Sequence, residues 1–235
     1  MTSKEILSQL KTMGSESTKK VLVKHGAKEP FYGVKVGDLK TIVKKVKVNH
    51  TLALELYDSG ISDAMYLAGL IADDSKMTKK NLQDWIKKAY WYMLSEYTVP
   101  WVAAGSMHGH ELAKEWIESK DEKTAAAGWV TYSCLLAIKD DKELDMKEIK
   151  SLVDRIQKDI HKSPNRVRHT MNNFIISVGG YIAPLSEHAI AAAKKIGTVQ
   201  VNMGDTACKV PSAPAYIEKM KERGSFTKKK KTVKC

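Results

Sequence analysis

The sequence has few cysteines and lacks the alternating pattern that is typical of β-strands. Its three cysteines, Cys134, Cys208 and Cys235, are far apart and odd in number, which argues for a reducing compartment and against a disulfide framework or a zinc site. No segment shows strand-like alternation with a hairpin turn. No apolar run reaches the roughly 18 residues of a membrane span, and the first residues lack the apolar core of a signal peptide. We therefore expect a cytoplasmic protein, nucleoid-associated if bacterial, with no membrane partner.

The common catalytic and cofactor-binding signatures are missing as well. The chain has no P-loop, no Gly-x-Gly-x-x-Gly, no His-Glu-x-x-His, no Cys-x-x-Cys and no Gly-x-Ser-x-Gly. His108 and His110 are two residues apart, but a metal would need further ligands from other positions, and no obvious set of acids or cysteines supplies them. We predict no metal and no cofactor.

Positive charge is the main compositional excess. Lysine and arginine number 39 against 27 acidic residues, which gives a formal net charge of +12, and such an excess is typical of proteins that bind polyanions. The last eight residues carry five lysines and no acid, so residues 1–227 hold the remaining +7. We predict one domain over residues 1–224 and a basic disordered tail over residues 225–235.

Almost every segment has the apolar spacing of an amphipathic helix. The helices pair, with breaks about every 30–40 residues, and this spacing indicates degenerate repeats stacked into a curved array. We therefore predict an all-α fold, a HEAT-like helical repeat solenoid with a basic concave face. A compact irregular helical domain is the alternative.

The segment after Ser163 and Pro164, which predict a helix start, has unusually sorted side chains. At about 100° per residue, one face is apolar and must be core. The opposite face contains no acid and comprises Asn165, Arg166, Arg168, His169, Asn172 and Asn173. Guanidinium, imidazole and amide groups suit phosphate oxygens and base edges. This face is a candidate nucleic-acid interface; a polar surface with local caps is the alternative.

Four segments in a fixed order resemble one family. They are Gly33–Lys40, Val99–Trp101, the run from Ala127 to Arg168, and Val201–Pro211. Together with the helical order, they resemble the AlkD-like DNA alkylation repair proteins over most of the chain. That resemblance implies a HEAT-like repeat fold that holds duplex DNA. Active members are monofunctional glycosylases that release N3- and N7-alkylated purines without a metal or nucleotide cofactor.

The residues that the family uses for catalysis match only in part. A carboxylate would stabilise oxocarbenium character and position water, and aromatic rings would favour the cationic base. Trp101 fits the family's Trp-x-x-x-Asp pair, but Gly105 stands at the position of the Asp. No cation near Ala127 and Gly128 matches the family's Arg. The candidate replacements for the acid are Asp205 and Glu111.

Three functions remain open. The first is an alkylpurine glycosylase with a rearranged site, in which Trp101 lines the lesion. The second, which Gly105 favours, is a non-catalytic relative that binds damaged or branched DNA. In both, the phosphate-binding cations would be Lys35, Lys40, Lys44, Arg166, Arg168 and Lys209, with Asn165, His169, Asn172 and Asn173 facing the DNA. The third is a non-enzymatic scaffold that binds protein or RNA. We expect a monomer whose partner is duplex DNA, alkylated or branched.

Overall fold

The computed structural model describes residues 1–234, within which the regular structure is helical and no strand occurs. The predicted all-α class is therefore confirmed. Contacts divide the chain into two compact units. The first contains residues 1–108, residues 203–207 and Lys234, and the second contains residues 109–202 and 208–233. The predicted domain boundary at residue 224 stays a prediction, and Cys235 lies outside the described residues.

Thirteen α-helices are present within residues 1–234. The first unit contains α1 Ser3–Met13, α2 Glu16–Lys24, α3 Val36–Val46, α4 His50–Asp58, α5 Ser62–Ile71, α6 Lys79–Lys88 and α7 Val99–Gly105. The second unit contains α8 Gly109–Ile117, α9 Glu122–Ile138, α10 Met146–Asp159, α11 Asn165–Tyr181, α12 Ser186–Ile196 and α13 Ala213–Glu222. A π-helical turn, Leu94–Thr98, leads directly into α7.

Helix starts follow from local side chains that satisfy the unpaired N–H groups of the first turn. Thr2 and Glu5 form a reciprocal capping box at α1. Ser15 accepts from the N–H of Thr18 at α2, and Asp121 accepts from the N–H of Thr124 at α9. These caps require residues at most three positions apart, so the sequence predicts them well.

Helix α5 is central to the first unit, with nine of its ten residues buried. Among them, Asp63 accepts hydrogen bonds from the main-chain N–H groups of Tyr32 at 2.6 Å and Val34 at 2.8 Å. A buried carboxylate needs such donors to offset its lost hydration. Asp63 thereby fixes the segment that precedes α3 and carries the exposed Lys35.

Helix α9 is central to the second unit and packs against α8 and α11. Its Trp129 and Tyr132 meet Phe174 of α11 edge to face, with ring centroids 5.3 and 5.5 Å apart. Gly128 faces the main chain of α8, since a Cβ there would lie 2.5 Å from the nitrogen of Ile117. Close backbone approach of the two helices therefore leaves no room for a side chain at this position.

Residues 225–234 make specific contacts instead of projecting free of the helices. The N–H of Thr227 donates to the carbonyl of Gly180 at 2.8 Å, and the N–H of Lys230 donates to that of Ala137 at 2.7 Å. Lys229 pairs with Asp141 at 2.8 Å. Backbone hydrogen bonds to helix ends, which composition does not reveal, account for this placement of a lysine-rich segment predicted to be disordered.

Within residues 1–234, no single helix is both long and apolar enough to cross a membrane. The pair Asn165–Tyr181 and Ala183–Ile196 meets the length and composition criteria only when joined across its 117° bend.

Candidate nucleic-acid interface

Helix α11 begins with a contact from a neighbouring helix. The residue at the N-cap position is Pro164, which offers no side-chain hydrogen bond, and the hydroxyl of Ser163 donates to the carbonyl of Asp159 at 3.0 Å. Instead, the main-chain N–H of Arg166 donates to Oε1 of Glu122, in the first turn of α9, at 2.6 Å. The face of α11 that carries no acid of its own is thus contacted by one carboxylate, which belongs to α9. Since that carboxylate already occupies the helix start, phosphate binding must rely on the side chains that follow.

Two of the predicted DNA-facing amides hold protein backbone. Asn165 exchanges two hydrogen bonds with the main chain of Asn202, of 2.9 and 2.7 Å. Asn172 is 5% exposed and donates to the carbonyl of Pro211 at 3.0 Å. These groups position the loop on either side of Lys209 rather than presenting hydrogen-bonding groups to a ligand.

The remaining predicted residues on this face differ in charge. Asn173 lies 3.2 Å from Nε2 of His169 through its amide nitrogen. Burial, and then the charge of Arg166, lower the pKa of His169 to about 4, so the imidazole is neutral at neutral pH. Arg168 is half-buried, and its Nε has no hydrogen-bond partner among residues 1–234. The charge of the predicted face therefore comes from its two arginines.

The predicted lysines are all exposed. Lys40 and Lys44 are four residues apart on α3, so they share one face of that helix. Lys35 precedes the first residue of α3. Lys209 lies two residues before Pro211, whose carbonyl accepts a hydrogen bond from the side chain of Asn172. Each of these lysines is available for contact with a phosphate.

The resemblance implies that Trp101 lines an open surface. In the structure it does not. It is 4% exposed and lies between Tyr66 and Tyr97, with edge-to-face centroid distances of 5.6 and 5.7 Å. The accessible ring of this cluster is Tyr97, in the π-helical turn, which is 37% exposed. Trp101 therefore supports the aromatic cluster, and Tyr97 is the ring that can meet a ligand. Because that turn departs from the regular helical period, the sequence pattern gave no indication of Tyr97.

A carboxylate occupies the space beside Gly105, one helical turn after Trp101. A Cβ at position 105 would overlap the carboxylate of Asp74 and lie 2.8 Å from its Cγ. Asp74 begins the short helical turn Asp74–Lys76 in the same unit. Burial raises the pKa of Asp74, and the ammonium of Lys234, 2.6 Å from Oδ1, opposes that increase. Asp74 is thus the acid that lies beside Gly105, the position at which the resemblance implies an aspartate.

The two acids predicted to replace the family's aspartate belong to other segments of the chain. Asp205 is exposed in the segment 203–207 of the first unit. Glu111 is exposed in the first turn of α8, in the second unit. Their catalytic roles stay predictions. Asp74 is the acid whose carboxylate lies beside Gly105. No group of three or more His, Cys, Asp and Glu side chains within residues 1–234 could hold a metal ion.

Comparison with known proteins agrees with these helices and with this order of residues. A family model described as DNA alkylation repair enzyme matches residues 6–209. The chain belongs to the DNA alkylation repair family. Two uncharacterized family relatives, from Listeria innocua and Listeria monocytogenes, are 36% and 35% identical over 229 residues, which cover 95% of this chain and 99% of each relative.

A solved structure supports the same assignment. It is described as a new family of proteins related to the HEAT-like repeat DNA glycosylases with affinity for branched DNA structures. It shares 38% sequence identity and a TM-score of 0.91 with this chain and covers 100% of both chains. The predicted HEAT-like repeat fold and the predicted relation to DNA alkylation repair are therefore confirmed.

Glycine is found at Gly105, where the resemblance implies an aspartate, and at Gly128, near which it implies an arginine. At Gly105 the space is taken by Asp74, and at Gly128 it is taken by the main chain of α8. The sequence shows both glycines, but it does not indicate Asp74, which precedes Gly105 by 31 positions and belongs to a different helical turn.

Proposed function

We propose that this chain is a non-catalytic DNA-binding member of the family that prefers branched DNA to plain duplex. The observation that carries the proposal is the guanidinium of Arg168, whose buried Nε lacks a hydrogen-bond partner among residues 1–234. A buried donor without an acceptor costs free energy. A phosphate oxygen would satisfy it with a charge-assisted hydrogen bond.

The surroundings of Arg168 support a phosphate ligand. Arg166 is close enough to lower the pKa of His169, so a second guanidinium is present on this side of α11. The neutral imidazole of His169 and the amide of Asn173 add hydrogen-bonding groups without charge. Lys209, which is exposed in the same unit, adds a further cation that suits a polyanion. The affinity of the related structure's family for branched DNA favours that form of the ligand.

Base excision receives less support. The aromatic ring expected at the lesion, Trp101, is almost fully buried. The carboxylate nearest to Gly105 is neutralised by Lys234 at 2.6 Å. An acid with a cation on one oxygen is a weaker stabiliser of oxocarbenium charge than a lone carboxylate.

The test is a fluorescence titration of a four-way junction and of a plain duplex of the same sequence, at one fixed salt concentration. We expect the junction to bind about tenfold more tightly, which corresponds to about 1.4 kcal/mol. Equal affinities would remove the preference for branched DNA. Absence of binding to either DNA would leave the scaffold function, with a protein or RNA partner.

We propose alkylpurine glycosylase as the second candidate function, which the position of Asp74 beside Gly105 favours. Single-turnover release of N7- or N3-methylated purines from duplex DNA tests it directly. Release well above the spontaneous rate, lost in Asp74→Asn but retained in Asp73→Asn, would assign catalysis to Asp74 and overturn the non-catalytic proposal. Asp73 is a suitable control because it bonds locally to Ser75 and Lys76. No release with DNA binding retained would support the non-catalytic function.

A further inference from the structure

The ammonium of Lys234 lies in a small site in the first unit. Its Nζ donates to Oδ1 of Asp74 at 2.6 Å and to the carbonyl of Ala72 at 2.9 Å. The side chains of Lys234 and Asp74 are 17% and 22% exposed. Both partners are therefore partly withdrawn from water, unlike the exposed pair of Lys88 and Asp58.

The chemistry of this site suits a primary ammonium. Ala72 directly follows the last residue of α5, and main-chain carbonyls at a helix C-terminus carry partial negative charge. The carboxylate of Asp74 adds a full charge on the same cation. Gly105 makes this possible, because a Cβ there would overlap the Asp74 carboxylate. The carbonyl at the end of α5 and the Asp74 carboxylate thus both bind one ammonium group. The missing side chain at Gly105 leaves room for that carboxylate.

We propose that Asp74 and the Ala72 carbonyl form a primary-ammonium site, and that Lys234 fills it as an internal ligand which limits DNA binding. The proposal rests on the proposed DNA-binding function. In the free protein, Lys234 is held by Asp74 and withheld from phosphates. On DNA, the lysine leaves this site and contacts the phosphate backbone instead. The Lys234–Asp74 contact is therefore autoinhibitory.

Asp74 and the DNA phosphates compete for the ammonium of Lys234 because both are negatively charged. The segment 228–234 carries five lysines, and each cation that contacts a phosphate releases a counterion from DNA. Lys229 is tied to Asp141 at 2.8 Å and to the carbonyl of Leu136 at 2.8 Å, so a second lysine is also held by protein. Transfer of a lysine to DNA first requires that its protein contact be broken.

The contact itself can be tested in the absence of DNA. Brief acetylation with mass-spectrometric readout compares Lys234 with Lys231, which is exposed. We expect Lys234 to react about fivefold more slowly, as for an ion pair worth about 1 kcal/mol. Asp74→Asn and Gly105→Ala should both remove this protection, the first by deleting the charge and the second by displacing the carboxylate. Asp73→Asn should keep it. Equal reactivity of both lysines in the unmodified protein would overturn the proposal.

The effect on DNA binding is tested with a double-mutant cycle. Asp74→Asn and Gly105→Ala should tighten binding to a four-way junction by about three- to tenfold, and neither should do so in a Lys234→Ala background. Gly105→Ala leaves the net charge unchanged, so a gain in that variant is not a charge effect. Tightening that persists without Lys234, or no tightening at all, would overturn autoinhibition. If no variant binds any DNA, the proposed function fails, while the acetylation result still decides whether the ammonium site exists.

Discussion

The main-chain N–H of Arg166 and the carboxylate of Glu122 form a 2.6 Å hydrogen bond that fixes the start of α11 to the start of α9. The bond joins the predicted nucleic-acid face to the most buried helix of the second unit. The first turn of α11, which carries both arginines, is therefore fixed to α9 through its main chain.

We predict that Glu122→Ala destabilises the protein by about 1 kcal/mol, since it removes a charged acceptor from a helix start. Glu122→Gln should cost less, because the amide oxygen can still accept. Urea unfolding measures both changes. Glu187→Ala, which removes an acid that is 87% exposed, is the control and should change stability by less than about 0.5 kcal/mol. An equal cost for Ala at both positions would show that the contact to Arg166 does not stabilise α11.

We predict that Arg166→Ala combined with Arg168→Ala weakens DNA binding and lowers the salt slope of log K by about one to two units, or one per lost phosphate contact. Binding titrations at several salt concentrations give the slope. Arg155→Ala is the matched control, because Arg155 is already paired with Glu118 through both guanidinium nitrogens. If the double variant and the control have the same slope, α11 does not contact phosphate.

We predict that His169 makes the protein less stable as the pH falls from about 6.5 towards 4. Its pKa is about 4 in the folded protein, whereas an unfolded histidine titrates near 6.5. Between these values only the unfolded chain takes up a proton, so the free energy of unfolding decreases by up to about 2 kcal/mol at pH 5. Urea unfolding at pH 7.5 and pH 5 should show a smaller loss in His169→Gln.

Because the imidazole of His169 is neutral at pH 7, it should not contribute to the salt dependence of DNA binding. His169→Gln should leave the salt slope of DNA binding unchanged at pH 7, in contrast to loss of Arg166 and Arg168. A reduced slope in His169→Gln would mean that the imidazole is charged when DNA is bound.

We predict that Glu148 is a stabilising residue of the second unit. Its carboxylate accepts from Tyr132 at 2.5 Å and lies 2.7 Å from Nε2 of His110, and it also pairs with Lys114. Burial alone would raise the pKa of Glu148, but these hydrogen bonds outweigh it and lower the pKa to about 2. Glu148→Gln should therefore cost about 1–3 kcal/mol in urea unfolding.

The pH dependence of this contribution has a definite sign. A lowered carboxyl pKa stabilises the fold above the unfolded value, so the contribution of Glu148 is present above about pH 4.5 and is lost as the pH falls towards 2. Acid unfolding of Glu148→Gln should lack this component, and Glu187→Gln should retain it. Identical acid transitions in all three proteins would contradict the assignment.

Helix positions could be predicted from the sequence because the interactions that define them are local. The apolar spacing of the sequence predicts helices over residues 3–13 and 121–138. In the structure Asp121 caps α9, and the helix ends at Ile138. The predicted helix Ser3–Met13 has the same bounds in the structure. Caps and apolar spacing involve residues at most about four positions apart.

The roles of polar side chains were harder to predict. The helical period placed Asn165 and Asn172 on the face of α11 that lacks acids, but it did not reveal what covers them. Their partners, Asn202 and Pro211, are 37 and 39 positions away in the chain. Trp101 was predicted to face a ligand, yet Tyr66 and Tyr97 enclose it. Periodicity defines a helix face, whereas neighbouring elements decide whether that face is exposed.

The sequence by itself determined the helical class, the family, the positive charge and the absence of an acid at Gly105. Only the tertiary structure decided that Asp74 fills the space at Gly105 and that Lys234, 160 positions further along the chain, neutralises Asp74. The physical reason is that composition and spacing act along the chain, while a carboxylate and an ammonium meet through space, where the packing of other elements brings them together.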